Sequence, residues 1–308
     1  MFNILGKTDI DFIGWRKYAF VISSVLTVLG IISFFMIMTG KANMGIDFAG
    51  GVMVQGHFEK PVTIEQLRTA VSSQFSDAVI NQVEDFALPN AFIIKTKRPS
   101  DEAEAKNRLA QINSTIASSF PGNTFTRVSE HVIGPAVGES LRKDAVKAIL
   151  VSLLGILIYI AFRFDARSGV AATIATFHDV LAVMGIFWVL GLEFDLLFVT
   201  ALLTLAGYSL TDTVVVYDRI RENLKKFRGR ADFVPAINLS INDVLMRTIN
   251  TSMTVLVVVA ILFFFGGEVL RNFALAMILG VLVGTYSSWF VASPIIVEWE
   301  ARSPKRFK

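Results

Sequence analysis

The stretch SLTDTVVVYDRIREN, residues 209–223, sets Asp212 inside an apolar run and then changes to alternating charges. The chain as a whole explains this pattern, because 53% of its 308 residues are hydrophobic and only 18% are charged. Its mean hydropathy is +0.58, which is too apolar for an ordinary soluble domain. Composition therefore predicts a chain whose main solvent is the lipid bilayer, where an acid is costly.

Several functional classes have no support in the sequence. The 29 basic and 26 acidic residues give a net charge of only +3, and no basic tract interleaved with aromatic residues predicts a nucleic-acid partner. Cysteine is absent, and the three histidines, His57, His131 and His178, lack the spacing of metal ligands. No nucleophile stands beside a base, and no phosphate-binding loop occurs. We therefore expect no enzymatic activity, cofactor or metal.

Six apolar runs have the length of about 20 residues that a membrane span requires. They are residues 18–38, 145–162, 169–190, 196–217, 248–265 and 272–294. The first is too long for a signal peptide and lacks a small-residue cleavage site, so we expect it to remain as an anchor. The predicted fold is a polytopic α-helical membrane protein with six transmembrane helices and one long insertion.

Lysine and arginine are unevenly distributed among the connections. They are concentrated at Lys7, Arg16 and Lys17, at Arg163 and Arg167, from Arg219 to Arg230, and from Arg302 to Lys308. The turns 191–195 and 266–271 carry one arginine between them. The positive-inside rule then predicts that both termini are cytoplasmic. Residues 1–40 form the N-terminus and first helix, 41–144 an external domain, and 145–308 a five-helix bundle.

The insertion has the order of a small α+β domain. Strands are predicted at 52–58, 78–84, 91–97 and 124–132, with helices at 63–75 and 100–120 and a turn at Pro89 and Asn90. Ser100 is the predicted N-cap of the second helix. The order β-α-β-β-α-β is ferredoxin-like. One sheet face is then left open, which suits either an extended polypeptide or a partner subunit.

The segment GIDFAGG, residues 45–51, precedes this domain. Gly45, Gly50 and Gly51 are typical of a turn between a helix and a strand. A turn alone does not explain Asp47 and Phe48. The segment is therefore either a simple turn or a functional base for the external domain.

Asp212 is predicted to lie about 7 Å inside the cytoplasmic end of the fourth span, given 1.5 Å per helical residue. Thr204, Tyr208 and Thr211 form a weakly polar stripe beside it, which favours a face toward protein or water. The alternative is a carboxylate that reaches the interface. A buried carboxylate needs a cation or must hold its proton, so Asp212 is a candidate proton-coupling residue.

Arg247, at the start of the fifth span, is the candidate cation. It is followed by Thr251 and Thr254 at helical spacing, so antiparallel spans could pair it with Asp212. The alternative is an ordinary positive-inside anchor. In the third span, His178 and Asp179 point about 100° apart, which favours a structural pair bonded to neighbouring helices over a proton relay.

The motifs GIDFAGG, FHDV, GYSLTDTVVVYDRIREN and RTINTSMT, in this order along nearly the whole chain, resemble the SecF family. Its members are the smaller membrane subunits of the SecDF accessory complex of the bacterial Sec translocase, within the resistance-nodulation-division superfamily. A fused SecDF chain would be more than twice as long as this one.

The resemblance implies a subunit of the bacterial inner membrane that uses proton motive force, together with SecD, to promote translocation after the ATP-driven step. It implies proton conduction through Asp212 and Arg247, with an acid of SecD completing the site. Their polarity and position in the spans, and not the resemblance, make Tyr208, Thr211, Thr251, His178 and Asp179 candidate neighbours of that site. Implied partners are SecD, SecYEG, other translocase accessory subunits, the translocating preprotein and membrane lipid. The alternatives are a translocase scaffold without proton conduction and an exporter of a small molecule or lipid.

Overall fold

A computed structural model describes residues 8–303, apart from residues 77, 84–88, 98, 165 and 228–232. Six membrane-length apolar helices occur in this part of the chain, as predicted. They are α1 (Arg16–Met38), α5 (Pro135–Arg163), α6 (Ala166–Val189), α7 (Leu196–Phe227), α8 (Phe233–Phe265) and α9 (Gly267–Ser287), which continues through a π-helical segment (Ser288–Ala292) into α10 (Ser293–Arg302). Lys7, Glu84, Arg230 and the tail beyond Ser303 lie outside the described residues.

Several of these helices are longer than the apolar runs that predict them, including the last span, which continues to Arg302. α5 begins ten residues before the expected start at Ala145, α7 continues past Tyr217, and α8 begins well before Thr248. Hydropathy marks only the part of a helix that lipid can contact. The extensions carry charged pairs one turn apart, such as Lys226 Nζ to Glu222 Oε1 at 2.7 Å, which suit helix surfaces in water.

The insertion forms the predicted ferredoxin-like domain. After a short helix, α2 (Ile46–Ala49), it contains β1 (Gly51–Phe58), α3 (Ile64–Ser72), β2 (Val79–Val83), β3 (Ala91–Lys97), α4 (Glu102–Ser119) and β4 (Phe125–Ile133). The sheet is antiparallel with strand order β2-β3-β1-β4. α3 and α4 cover one face, where Phe58, Phe92 and Ile112 form the centre of the core.

The start of α4 differs from the prediction by one residue. Asp101, not Ser100, is the N-cap, and its carboxylate accepts a hydrogen bond from the backbone N–H of Glu104 at 2.7 Å. Both residue types are good caps. The carboxylate of Asp101 also interacts favourably with the positive end of the helix dipole, which a serine hydroxyl does less well.

α6 lies at the centre of the bundle and packs against α1, α5, α7 and α9. Its crossing with α1 brings two backbones together at glycines. A Cβ on Gly30 would lie 2.2 Å from the carbonyl oxygen of Leu181, and one on Gly185 would lie 2.7 Å from the amide nitrogen of Gly30. Small residues at such crossings allow membrane helices to approach closely.

Replacement of Gly30 by alanine tests this crossing. We expect Gly30→Ala to lower the free energy of unfolding by about 1–3 kcal/mol, because two backbones must separate to admit the methyl group. The measurement is the thermal denaturation of the purified protein in detergent.

Gly155→Ala in α5 is the matched control, because nothing lies within 4 Å of a Cβ at that position. Alanine has a higher helix propensity than glycine, so this variant should be at least as stable as the parent protein. Equal stability of the two variants would contradict the close crossing.

Candidate functional site

Asp212 lies inside the bundle, where its side chain is surrounded by hydroxyl groups from three helices. Only 4% of the residue is exposed. Ser252 of α8 donates to its carboxylate at 3.4 Å, and the hydroxyls of Tyr208 and Thr285 meet Ser252 at 3.2 and 2.6 Å. Thr251 also approaches the carboxylate. α7, α8 and α9 thus form a polar pocket around one acid.

Arg247 does not enter this pocket. In the part of the chain that the structure describes, no ion pair joins it to Asp212, and its side chain is exposed. Asp212 lies at the level of Ser252, which follows Arg247 by five residues, or about 7.5 Å along the helix. The expectation that the two charges lie at matching depth and pair within this chain is therefore wrong.

A second polar cluster lies around Asp179, which is completely buried. Its carboxylate accepts hydrogen bonds from Ser209 of α7 and from Ser287 of α9, the latter at 2.8 Å. The neighbouring imidazole contributes as well, since His178 Nδ1 lies 2.9 Å from the other carboxylate oxygen. Asp179 therefore ties α6 to both α7 and α9.

The two clusters share the contact between α7 and α9. On α7, Ser209 and Asp212 are three residues apart. On α9, Thr285 and Ser287 are two residues apart. The helices approach closely because Gly284 faces Ser209, where an added Cβ would lie 3.0 Å from the serine Cβ. Both acids thus lie beside one narrow contact between two helices.

Sequence reasoning identified both acids but did not assign to them the four hydroxyl residues that bind them, Ser209, Ser252, Thr285 and Ser287. Of these, only Ser252 was noted, as part of the polar run after Arg247. The available signal was weak: each is a hydroxyl residue inside an apolar span, one of them three residues from an acid. Which spans pack against one another could not be read from one sequence. Thr211, by contrast, was singled out, but its hydroxyl donates to the backbone of Gly207 and its side chain is exposed.

Polar side chains also lie exposed on α7 and α8, on the side next to the pocket. We call this surface the polar face; its members are Thr204 and Thr211 of α7 and Arg247, Asn250, Thr251 and Thr254 of α8. Thr251 and Thr254 satisfy their hydroxyls on backbone carbonyls of their own helix. Among the described residues, the side chains of Arg247 and Asn250 have no hydrogen-bond partner. The polar face is unsuited to contact with lipid.

The GIDFAGG segment lies at the other end of α7 and holds the turn 191–195. Gly45 N–H donates to the carbonyl of Phe194 at 2.7 Å, and Phe194 N–H donates to the carbonyl of Asn43 at 2.8 Å. The Asp47 carboxylate accepts from the N–H of Leu196 at 2.9 Å and so caps the first turn of α7. Phe48 is buried in the core of the bundle. Asp47 and Phe48 therefore do more than complete a turn.

Each glycine of the segment is required for a different structural reason. Gly50 has φ +73°, which glycine adopts without strain. Gly51 lies so close to β3 that an added Cβ would be 2.4 Å from the carbonyl oxygen of Thr96. Gly45 is packed against the turn, 3.0 Å from the Cβ of Asp195 by the same measure. The segment is a fitted contact between the domain and the bundle.

Two lysines of β3 complete this contact. Lys95 and Lys97 lie on the sheet face that α3 and α4 leave uncovered, and their Nζ atoms are 3.1 and 2.8 Å from the two carboxylate oxygens of Glu193. Lys97 also donates to the side-chain oxygen of Asn43 at 3.1 Å. At β3, the face predicted to be open therefore rests on the bundle of the same chain, because the turn 191–195 supplies a charge partner.

Two carboxyls of the turn have opposite electrostatic environments. Burial raises the pKa of Asp195 to about 6, and the nearby charges of Glu193 and Asp47 add to that increase. Burial also raises the pKa of Glu193, but the charges and hydrogen bonds of Lys95 and Lys97 outweigh burial, so that this pKa lies below its usual value. Two effects act against the increase for Asp195: the hydrogen bond from the N–H of Phe198 at 2.7 Å and the positive charge of Lys95.

Comparisons with known proteins identify the relatives of this chain. The family model described as "Protein export membrane protein SecD/SecF, C-terminal" matches residues 113–302. The protein translocase subunit SecF of Thermodesulfovibrio yellowstonii is 48% identical over 303 residues, which cover 96% of this chain and 97% of the relative. The protein translocase subunit SecDF of Thermus thermophilus is 40% identical over 296 residues, 95% of this chain and 39% of that protein.

Solved structures give the same result. The crystal structure of SecDF from Thermus thermophilus, a translocon-associated membrane protein, superposes with a TM-score of 0.77 at 38% identity, covering 98% of this chain and 40% of that chain. A crystal structure of SecDF in a super-membrane-facing form gives a TM-score of 0.70 at the same identity and coverage.

Truncation of Asp179 should destabilise the bundle. Asp179→Ala leaves two serines and one imidazole without their acceptor, and we expect a loss of about 3 kcal/mol or more in the free energy of unfolding. Asp144→Ala is the control, because its carboxylate is 61% exposed in a surface pair with Lys147 and should cost less than about 1 kcal/mol. Thermal denaturation in detergent measures both; similar losses would contradict the role assigned to Asp179.

The elevated pKa of Asp195 predicts a pH dependence of stability. The folded pKa of about 6 exceeds the ordinary aspartate value of 3.8, so the stabilisation from this group is fully present below 3.8 and is lost as pH rises through 6. Asp195→Asn keeps an acceptor for Phe198 and removes the charge. The variant should therefore melt at a higher temperature than the parent protein at pH 8, and the difference should shrink as pH falls through 6 and vanish only below about pH 3.8. The exposed Asp144→Asn should show no such trend; a constant difference for Asp195→Asn would contradict the assignment.

Proposed function

The chain belongs to the SecF family of protein translocase subunits, and on that premise we propose that it couples a transmembrane proton gradient to the movement of proteins across the membrane. The observation that carries this proposal is the enclosure of Asp212 by hydroxyls of α7, α8 and α9. A charged aspartate at the centre of a membrane helix costs about 3 kcal/mol, which is an upper bound for Asp212 at its position about 7 Å inside the cytoplasmic end of the span. An acid retained at that cost, with neutral groups as its neighbours in this chain, is suited to binding and releasing a proton.

The hydroxyl groups suit both states of the acid. Serine, threonine and tyrosine hydroxyls can donate to a carboxylate and can accept from a carboxylic acid. Ser252 is central, because it contacts Asp212, Tyr208 and Thr285. A change in the protonation of Asp212 therefore requires these hydroxyls to reorient, and it shifts the preferred packing of α7 against α8 and α9.

SecD is the partner that we propose for the polar face. Asn250 lies within the apolar run and Arg247 directly precedes it, so the polar face is better covered by a protein surface than by lipid. The Thermus thermophilus relative is named SecDF, which joins the two subunits in one chain. We propose that Arg247 pairs there with an acid of SecD, which completes the proton site beside Asp212. This arrangement replaces the direct pair within one chain that the sequence suggested.

The remaining assignments rest on the charge distribution and on the family. We propose that the protein resides in the bacterial inner membrane with both termini in the cytoplasm and the ferredoxin-like domain on the periplasmic side, as the lysine and arginine distribution favours. There it would work beside SecYEG and other accessory subunits and act on preproteins after the ATP-driven step. Its source of energy would be proton motive force.

Asp212→Asn is the direct test. Inverted membrane vesicles containing SecD and either the parent chain or the variant are loaded with a translocation intermediate, ATP is removed, and a proton gradient is imposed. We expect the gradient to complete translocation only with the parent chain, because asparagine keeps the size of the side chain and cannot exchange a proton. Completion is measured by protease protection of the preprotein.

Asp218→Asn is the matched control. Asp218 lies on the same helix, but its side chain is 47% exposed in a surface pair with Arg163, so this variant should behave like the parent chain. Expression and SecD association are matched beforehand. Equal completion with Asp212→Asn and the parent chain would leave a scaffold with a structural acid as the better account.

A further inference from the structure

The contact between the ferredoxin-like domain and α7 is not a covalent one. The chain enters the domain from α1 and leaves it into α5, since β4 ends at Ile133 and α5 begins at Pro135. α7, which carries Asp212, is separated from the domain in sequence by two membrane helices. Any effect of Asp212 on the domain through α7 must therefore pass through non-covalent contacts.

These contacts form one compact set, which we call the domain joint. It consists of residues 43–51, Lys95 and Lys97 of β3, and the turn 191–195 with the first residue of α7. Three kinds of interaction coincide there: the paired backbones of Gly45 and Phe194, the cap of α7 by Asp47, and the ion pairs of Glu193 with both lysines. The first two hold the loop and helix start, and the third holds the sheet.

We propose that the domain joint stays closed during transport and makes the ferredoxin-like domain move with α7 as one body, with Asp47 and Glu193 as its positioning residues. The inference rests on the proposed function, because it supplies the route from Asp212 to the domain. Leu196, which Asp47 caps, and Asp212 are 16 residues apart on one continuous helix, a distance of about 24 Å.

The ion pairs of Glu193 are largely buried. The side chains of Lys95, Lys97 and Glu193 are 19%, 18% and 15% exposed, so removal of the Glu193 carboxylate from two mostly buried ammonium groups should be strongly destabilising. Lys97 also binds Asn43, which belongs to the segment paired with the turn. Loss of Glu193 would therefore loosen both halves of the domain joint.

The chain contains no cysteine, which permits a test by a designed disulfide. Met44 and Phe194 form an isolated parallel bridge. If the parallel register continues by one residue, positions 43 and 193 lie side by side at about the 4.8 Å spacing of paired strands. This spacing lies within the range that a disulfide requires. Lys97 contacts the side chains of both residues, which therefore point the same way.

Asn43→Cys/Glu193→Cys removes the ion pairs and offers a covalent replacement in the same molecule. It is assembled with a cysteine-free SecD and assayed for gradient-driven completion in vesicles, reduced and oxidised. We expect the reduced form to complete translocation at least about fivefold more slowly than the parent chain, the lower end of coupling between linked sites. Oxidation should restore the rate, and the single-cysteine variants should not respond to oxidant.

Each other result contradicts the proposal. Full activity of the reduced form would mean that Glu193 is not needed for coupling. Loss of activity on oxidation, or no recovery, would mean that the contact must open or that the charge itself is required. Failure of the disulfide to form would contradict the closed contact.

Asp47 is tested against a second helix cap in the same domain. Asp47→Ala and Asp101→Ala each remove a carboxylate that caps a helix, at α7 and α4 respectively. Only Asp47 belongs to the domain joint, so we expect Asp47→Ala to slow gradient-driven completion at least about fivefold, with Asp101→Ala like the parent chain. If Asp47→Ala and Asp101→Ala slow translocation equally, Asp47 is only a helix cap and its proposed positioning role is wrong.

Hydrogen exchange separates this proposal from the proton hypothesis. In the purified complex, amides of residues 194–198 should exchange faster in the reduced double variant than in the parent chain, and more slowly after oxidation, whether or not a gradient drives export. If Asp212→Asn translocates normally but this exchange pattern holds, the proposed function fails and the domain joint still exists as a rigid contact. If Asp212→Asn is inactive while the reduced double variant exchanges and translocates like the parent chain, the proposed function survives and the domain joint proposal is overturned.

Discussion

The cost of burying polar groups away from water governs this structure. A charge or an unpaired hydrogen-bonding group inside a bilayer has no solvent to satisfy it, so each must find a partner within the protein. Asp179 meets that requirement within the chain, through Ser209, Ser287 and His178. The packing of α6, α7 and α9 follows from it, because those partners must lie within hydrogen-bond distance of one carboxylate.

Small residues make this arrangement possible. Gly284 lets α9 approach Ser209, and Gly280 faces Leu205 one turn earlier along the same contact. The π-helical segment begins directly after Ser287, and Ser288 within it meets Thr213 of α7 at 3.0 Å. π-helical turns in α-helices occur often at functional sites. Here the π-helical segment provides a direct hydroxyl contact with α7 close to the buried Asp179.

The sequence predicted most of the architecture because the signals were strong and local. Six long apolar runs, and the alternation of strands and helices in the insertion, are properties of consecutive residues. The predicted helix ends were less accurate, because hydropathy detects only the part of a helix that contacts lipid. α7 and α8 extend beyond that part into water, where charged residues one turn apart form ion pairs. The depth of Arg247 was misjudged for a different reason. Its level relative to Asp212 depends on how α8 is shifted along α7, and only packing at Ser252 sets that shift.

The same distinction explains the GIDFAGG segment. Its glycines predicted a turn, and the segment contains the short helix α2 (Ile46–Ala49) between Gly45 and Gly50. The partner of Asp47 lies 149 residues away at the start of α7, and no local pattern predicts such a contact. A carboxylate at a helix N-terminus is favourable because it meets free N–H groups and the positive end of the dipole. Here the acid comes from the insertion and the helix from the bundle, so one hydrogen bond joins two parts of the fold.

Reciprocity gives this link a further consequence. If protonation of Asp212 changes the preferred position of α7, and the ferredoxin-like domain moves with α7, then a force on the domain must change the proton affinity of Asp212 by the same free energy. A polypeptide pulling on the domain would thus affect proton binding about 24 Å away along the helix. A rigid contact transmits this free energy in both directions, whereas a flexible one would dissipate it in local motion. The close fit of Gly45, Gly51 and the buried ion pairs of Glu193 is what such two-way coupling requires of the contact.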